Sequence, residues 1–456
     1  METHANRPRR TKLEFAIGAL FTVAACATVT AIPFAQSGET GAFVFTNITV
    51  IDATGALPQP AMTVVVRNDR IAAIGKTRDV PVPRGAQVVN GAGKFMMPGL
   101  WDMYVHLTDA RPSAIPALVA NGVTGVRDMG SLLRELDEWR VRIESGTLIG
   151  PRIFRAGPIL NGKQFGPVQL AVADEAEARA AVRTLAKVGV DFIKVHLTLT
   201  REQYLAILRE AKVAGLHVAG HLPSGVSPEE ASDSGQASIE HTETLFQGTF
   251  DPRVPRDTML ANMTRLFQRF ARNRTYYTPT LIMYKVSADW RGFAPQAQSK
   301  YVARSAADRM TKVAEQYKKL PEVLEGRKRI FADFLVLVRM MHTNGVQVMT
   351  GTDLSDGRIF PGFSVHEELA LLVDAGFAPG AAIEAATRVP AEFLGLRDAG
   401  TIQQGNRADL VVLSADPLKD IRNTTKIDAV VLRGQMLDRA RLDALLADAE
   451  RLAGKN

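Results

Sequence analysis

A single cysteine, Cys26, stands in a chain of 456 residues, so no internal disulfide can form and stability must come from buried surface. Two chemical motifs are present only in fragments. His366-Glu367-Glu368 lacks the second histidine that a helical zinc-protease motif needs, and Gly91-Ala92-Gly93-Lys94-Phe95 lacks both the spacing and the hydroxyl of a phosphate-binding loop. Positive charge is scarce over most of the chain. The formal +7 includes a net +2 in the first 25 residues, and residues 253–329 carry 17 basic and 6 acidic residues, a local +11. The rest is acidic, which excludes general nucleic-acid binding.

At 46% hydrophobic residues and a mean hydropathy of −0.01, the composition is that of a soluble globular body, too long for one ordinary core. The N-terminus reads as an export signal over residues 1–35. Arg7, Arg9 and Arg10 precede an apolar stretch from Phe15 to about Ala35. Val23-Ala24-Ala25-Cys26 resembles a lipoprotein processing box, so both lipidation at Cys26 and cleavage after Ala35 stay open, and Arg9-Arg10 points weakly to twin-arginine export. The expectation is an exported protein, periplasmic or lipid-anchored, that touches a membrane only through its leader or anchor.

Residues 42–97 alternate in short β-like runs broken by turns at Asp52 and Asn68-Asp69, and residues 401–456 repeat the style in Ala408–Leu413 and Ala429–Gly434 before a helix near Arg439–Leu452. Neither end has strands enough for a core. The two are therefore expected to pair into one small β-sandwich around an inserted domain at 98–400. Within the insert, apolar strands alternate with helical stretches: Leu100–His106, Gly122–Arg127, Pro151–Ala156, Phe192–Val195, His217–His221, Ser238–His241, Tyr276–Ile282 and Val346–Thr350. Eight βα units in about 300 residues predict an α/β fold, a (β/α)8 TIM barrel, with a helical insertion at about 284–340. The basic segment there reads either as a solvated helical face or as a lid that draws in an anionic substrate.

Of eight histidines, three (His106, His221 and His241) fall at C-terminal ends of different strands, where barrel chemistry sits. Asp353 follows the eighth strand. Imidazoles and a carboxylate suit Zn²⁺ or a related divalent ion. Lys194 is the odd member, since an ammonium repels a cation. His196, two residues on, is a candidate for substrate contact or support. His217, His342 and His366 read as structural, as do Arg127 and Asp128, while Asp102 and Glu240 read as supporting or ion-paired carboxylates.

In order along the chain stand Pro98-Gly-Leu-Trp-Asp-Met-Tyr-Val-His, Gly122-Val-Thr-Gly-Val-Arg-Asp, Phe192-Ile-Lys-Val, Ala219-Gly-His-Leu-Pro, Ile239-Glu-His, Gly351-Thr-Asp and Gly405-Asn-Arg-Ala-Asp-Leu. Together they resemble the amidohydrolase superfamily from about Phe43 to Leu432, within it the imidazolonepropionase-like and Xaa-Pro or Xaa-Arg/Lys dipeptidase branch. The resemblance implies one or two divalent metals, Zn first among them. It implies a carboxylated Lys194 as bridging anion, His221 and His241 on one ion, and His106 and Asp353 on another. It further implies a metal-bound hydroxide that attacks the scissile carbonyl, with Asp353 as the catalytic proton carrier.

The pattern departs at Tyr104, where the first strand normally has His-x-His. Phenol, with a reference pKa near 10, seldom ligates zinc. Three readings stay open: a working enzyme with a weak or absent first metal, a complete pair with Tyr104 or water in the gap, or a degenerate site that binds without hydrolysis. The expected activity is hydrolysis of a C–N bond in an amide, a cyclic amide or a dipeptide-like substrate. The alternatives are an esterase or lactonase and a non-catalytic binding lipoprotein. Tyr104 and His196 are the candidate substrate contacts, the partner is a small molecule, anionic if the basic segment is a lid, and a homo-oligomer is compatible with the sequence.

Overall fold

The computed structural model describes residues 42–245, 254–289, 296–317, 319–355 and 358–455; the export signal with Cys26 lies outside them. Strands from both chain ends join in one eight-stranded sheet. The junction is antiparallel, with Leu410 opposite Pro98 and Leu413 opposite Phe95. Because side chains alternate across a strand, this sheet serves two cores. Met96, Leu410, Val412 and Val431 pack with Phe45, Val64 and Val66 in a cluster of the sheet itself. Their neighbours Met97, Val411, Leu413 and Val430 pack into the large α/β core with Leu100, Val123 and Val126. The sheet and the α/β body are thus tied along one row of side chains.

The α/β body carries two parallel sheets. One holds Leu100–Val105, Val123–Asp128 and Arg152–Arg155; the other includes Ile193–Val195, Val218–Gly220, Ser238–Glu240 and Tyr276–Thr278, with two short strands, Ile159–Asn161 and Gln169–Ala171, at its edge. Intervening helices begin where capping residues permit. Asp174 accepts from the amides of Ala176 and Glu177 to start Glu175–Val188, and Gly189, left-handed at φ 76°, ends it. A reciprocal Thr200–Gln203 capping box starts Arg201–Val213.

Two expected strands differ. Tyr276–Ile282 stops at Thr278, because Pro279 has no N–H to continue a ladder, and a helix, Leu281–Ala288, begins two residues later. Val346–Thr350 forms no regular strand. It makes single parallel bridges instead, Tyr277 with Val348, and farther on Leu354 with Val105. Its backbone bonds alternate between neighbours: Met349 donates to Tyr277, Met103 donates to Thr350, and Asp353 donates to Tyr104. That divided bonding brings Asp353 beside the end of the first strand. The basic segment is largely helical where described, in Arg256–Asn273, Arg304–Tyr317 and Pro321–Thr343. In the first of these Met263, Leu266, Phe267 and Phe270 are buried while Arg265, Arg272 and Arg274 are exposed, so its charge is mainly a solvated face. Among the described residues no helix is long and apolar enough to cross a membrane.

Candidate active site

Seven side chains predicted for the site form one continuous group, although Tyr104 and Asp353 lie some 250 positions apart. His106 Nε2 is 3.7 Å from Asp353 Oδ1, and the His106 ring centre is 5.5 Å from that of Tyr104. Tyr104 lies 4.6 Å from His241, His241 lies 4.6 Å from His221, and His221 lies 4.3 Å from His196, centre to centre. Lys194 Nζ donates to Tyr104 Oη at 2.7 Å. Parallel register explains the convergence, since Lys194 pairs with Ala219 and Ile239 with Gly220, which sets Lys194, His221 and His241 at successive strand ends. Gly220, at φ 136°, is required there: a Cβ would strike the Val195 carbonyl and crowd the Lys194 chain.

The backbone is strained where the site is built. His241 and Asp353 are left-handed, at φ 67° and 58°, as is Thr280 at 50°. Thr280 Oγ1 sits 2.8 Å from His241 Nδ1 and fixes the ring, a contact with no signature in the sequence because it depends on that unusual turn after Pro279. His106 Nδ1 is 2.7 Å from the Gly130 carbonyl. A carbonyl only accepts, so Nδ1 carries the proton, and Nε2 turns a lone pair toward Asp353. Two acceptors facing each other suit a shared cation or proton between them.

Burial keeps these bases uncharged. Desolvation first, with the Lys194 charge adding, holds His221 and His241 well below the usual histidine range. His106 is pushed down to about 4, mainly by burial. Neutral imidazole is the form that ligates a metal. Burial likewise brings Lys194 down to about 7, leaving much of it as free amine near neutral pH, while it raises the Tyr104 phenol well above 10. The phenol is therefore a neutral partner for Lys194 rather than a ready anionic ligand.

The donor set suits a divalent ion. His221 Nδ1 is buried without a hydrogen-bond partner, as a ring nitrogen whose lone pair awaits a cation would be. Among the described residues no three His, Cys, Asp or Glu side chains are grouped to hold an ion by themselves. Two further nitrogen groups stand beside the His221–His241 pair: His196, 4.3 Å from His221, and Lys194, which bonds the Tyr104 that packs on His241.

Beneath the group, Arg127 is wholly buried and donates to Glu240 at 2.9 Å, Ser238 at 2.8 Å, Thr278 at 3.1 Å and the Met103 carbonyl at 2.7 Å. Asp102 binds Thr352 Oγ1 at 2.6 Å, and Asp128 takes the amides of Leu107 and Gly130. These groups fasten strand ends to one another. His366 is equally structural, bonded to Thr424 and the Asn121 carbonyl; His342 stacks on Phe377, and His217 packs on Phe393.

A pH dependence follows. His106, His196 and His366 all hold pKa values of about 4, chiefly through burial, against 6.5 in the unfolded chain. Between pH 6.5 and 4 the unfolded state binds more protons, so stability falls as pH drops through that window. Each fully buried histidine of metal-free protein should contribute a loss on the order of 2 kcal/mol by pH 5, opposed by the buried Asp102 and Glu368 carboxyls, whose raised pKa values act in the other sense, so the histidine contribution is read as the difference between parent and His366→Gln in urea at pH 7 and 5. A difference that does not change with pH would contradict it.

A family model for the amidohydrolase family matches residues 95–437. An imidazolonepropionase from Deinococcus deserti is 41% identical over 81 residues, a match that spans 18% of this chain and only 20% of that protein. In solved structures, a candidate prolidase from Bifidobacterium longum is 26% identical with a TM-score of 0.68 over 90% of this chain and 100% of its own. The bottromycin amidohydrolase is 23% identical with a TM-score of 0.75 over 91% of each chain, a likeness of fold. The family generally binds divalent metals and hydrolyses carbon–nitrogen bonds. With its match running across three quarters of the sequence, this chain belongs to the amidohydrolase family.

Proposed function

We propose that the chain is an exported hydrolase that cleaves the C–N bond of an amide, a cyclic amide or a dipeptide-like substrate, using one divalent cation at the mouth of a (β/α)8 barrel. The observation that carries this reading is the contact chain from Asp353 through His106, Tyr104 and His241 to His221, with Lys194 at its centre. In the barrel reading, the segment 346–354 stands as the eighth strand, between Tyr277 and the strand Leu100–Val105. Export rests on the leader sequence alone.

His221, His241 and a carboxylated Lys194 would hold the ion, with Zn²⁺ suited to such nitrogen and oxygen donors. When bound, it supplies Lewis acidity at the scissile carbonyl and an acidified water. Lys194 is prepared for carboxylation because burial leaves much of its amine uncharged. Tyr104 then holds the lysine end group in place through Oη, in the position of an absent first-site ligand. Asp353 takes the proton of the attacking water and returns it to the leaving nitrogen. His106, locked by Gly130, keeps Asp353 aimed at that path.

The test is a panel of dipeptides, N-acyl amino acids and cyclic amides. Hydrolysis of at least one member should disappear with a chelator and return with added Zn²⁺ or Mn²⁺. Turnover that a chelator leaves intact, or none in metal-replete protein, overturns the reading.

A further inference from the structure

His366-Glu367-Glu368 fails as a zinc-protease motif, yet two of its members are engaged inside the fold. The helix Phe363–Asp374 packs Val365, Leu369 and Leu372 into the large α/β core. His366 ties it to Thr424, in the turn Ile421–Thr425, and to the Asn121 carbonyl. Glu368, two positions on and therefore about 200° round the helix, reaches a different neighbour. Its two carboxyl oxygens accept the backbone amides of Leu281 at 2.9 Å and Ile282 at 2.6 Å. Glu368 and Leu281 are wholly buried and Ile282 nearly so, so no solvent competes for these bonds.

Those amides belong to the first turn of the helix Leu281–Ala288, where backbone donors have no partner within the helix itself. A threonine just before a helix normally satisfies one such donor with its own hydroxyl. Thr280 stands in that position and makes no side-chain cap; its Oγ1 is turned instead to His241 Nδ1, at 2.8 Å. Thr280 is also left-handed, at φ 50° and ψ 47°, a conformation that a β-branched residue seldom adopts. Glu368 thus supplies from another helix the cap that Thr280 withholds, and leaves the hydroxyl free for the imidazole. Two further bonds stitch this turn to the strand end that carries His241. Tyr277 Oη donates to the His241 carbonyl at 2.7 Å, and Thr242 Oγ1 to the Pro279 carbonyl at 3.1 Å.

Resting on the reading of His241 as a metal ligand, we propose that Glu368 is a positioning residue for the metal site: it fixes the turn at Thr280, and Thr280 fixes the His241 ring. In the ligating form His241 Nδ1 donates to Thr280 Oγ1, and Nε2 keeps its lone pair for the ion. Without the Glu368 carboxyl, two buried amides lose their acceptor. The usual substitute is the Thr280 hydroxyl, and its recapture by the helix releases the ring. Glutamine at 368 fills the same space but offers one oxygen and one NH2, so it faces one of the amides with a second donor.

The test compares metal-free and Zn²⁺-titrated protein in the parent, Glu368→Gln, Thr280→Val and the double variant. In metal-free protein the ring-nitrogen NMR signals of His241, assigned with His241→Gln, should shift in both single variants while those of His106 and His217 stay in place. The Zn²⁺ dissociation constant should rise about tenfold in each single variant. The double variant should bind no more weakly than Thr280→Val alone, because both changes act along one path. Thr280→Ser should keep the parent affinity. Glu368→Asp, which draws the carboxyl back by one carbon, is read beside Glu368→Gln so that the outcome does not hang on one variant folding. Val64→Ala, in the cluster of the end sheet, controls for lost stability and should leave the dissociation constant unchanged. A His241 ring that neither Glu368 variant moves, an unchanged dissociation constant in both, or fully additive losses in the double variant overturns the proposal. A parent that takes up no Zn²⁺ yet shows the ring shift would sink the metal reading and leave the positioning of His241 standing; turnover of the substrate panel by protein whose His241 ring ignores Glu368 would do the reverse.

Discussion

Lys194→Met is expected to lower kcat/KM by roughly a thousandfold, about 4 kcal/mol of lost transition-state stabilisation, and to empty the metal site. Lys194 is fully buried and is the donor to Tyr104 Oη, and in the proposed function it is the third metal donor beside two imidazoles. Methionine fills similar space but can neither take up CO2 nor bond the phenol. The unpaired phenol should cost about 1–3 kcal/mol of stability, small against the loss of activity. Melting curves beside kinetics separate the two effects: a folded, inactive, metal-poor variant supports the account. Activity within tenfold of the parent would remove Lys194 from the chemistry.

Breaking the buried Arg127–Glu240 pair should be the most damaging change to the fold, at about 3–5 kcal/mol for Arg127→Met. The guanidinium's bonds reach three strands, so its loss leaves Glu240 without its hydrogen-bonded cationic partner in the interior. The consequence reaches the site. Glu240 raises the Lys194 pKa and Arg127 lowers it. With Arg127 gone the lysine is held charged, and carboxylation is opposed. Adding Glu240→Gln to Arg127→Met should recover part of both stability and metal uptake, since no lone charge remains. Urea denaturation of the single and double variants checks this, and a single variant within about 1 kcal/mol of the parent would contradict it.

How much of this was legible follows from where each signal resides. His106, His221 and His241 could be placed because each ends a short apolar run and strand periodicity puts such residues on one rim, whereas Lys194, inside its run, came only from the family resemblance. Asp353 was found on the same rule, yet its strand proved to be a divided set of bridges, because its backbone bonds are shared between Tyr277 on one side and Met103 and Tyr104 on the other. The turn at Pro279 hid both the early helix and Thr280. No periodicity encodes a left-handed residue that reaches back 39 positions to His241. Contacts such as Lys194 to Tyr104, 90 positions apart, and Arg127 to Glu240, 113 apart, exist only in three dimensions.

The central claim is that His221, His241 and Lys194 together hold one divalent ion while Tyr104 occupies the place of a second. Elemental analysis of protein purified without chelators and dialysed against Zn²⁺ tests it most directly. The account predicts about one equivalent per chain, rising toward two in Tyr104→His. Less than about a tenth of an equivalent after reloading, or two equivalents in the unaltered protein, would contradict it.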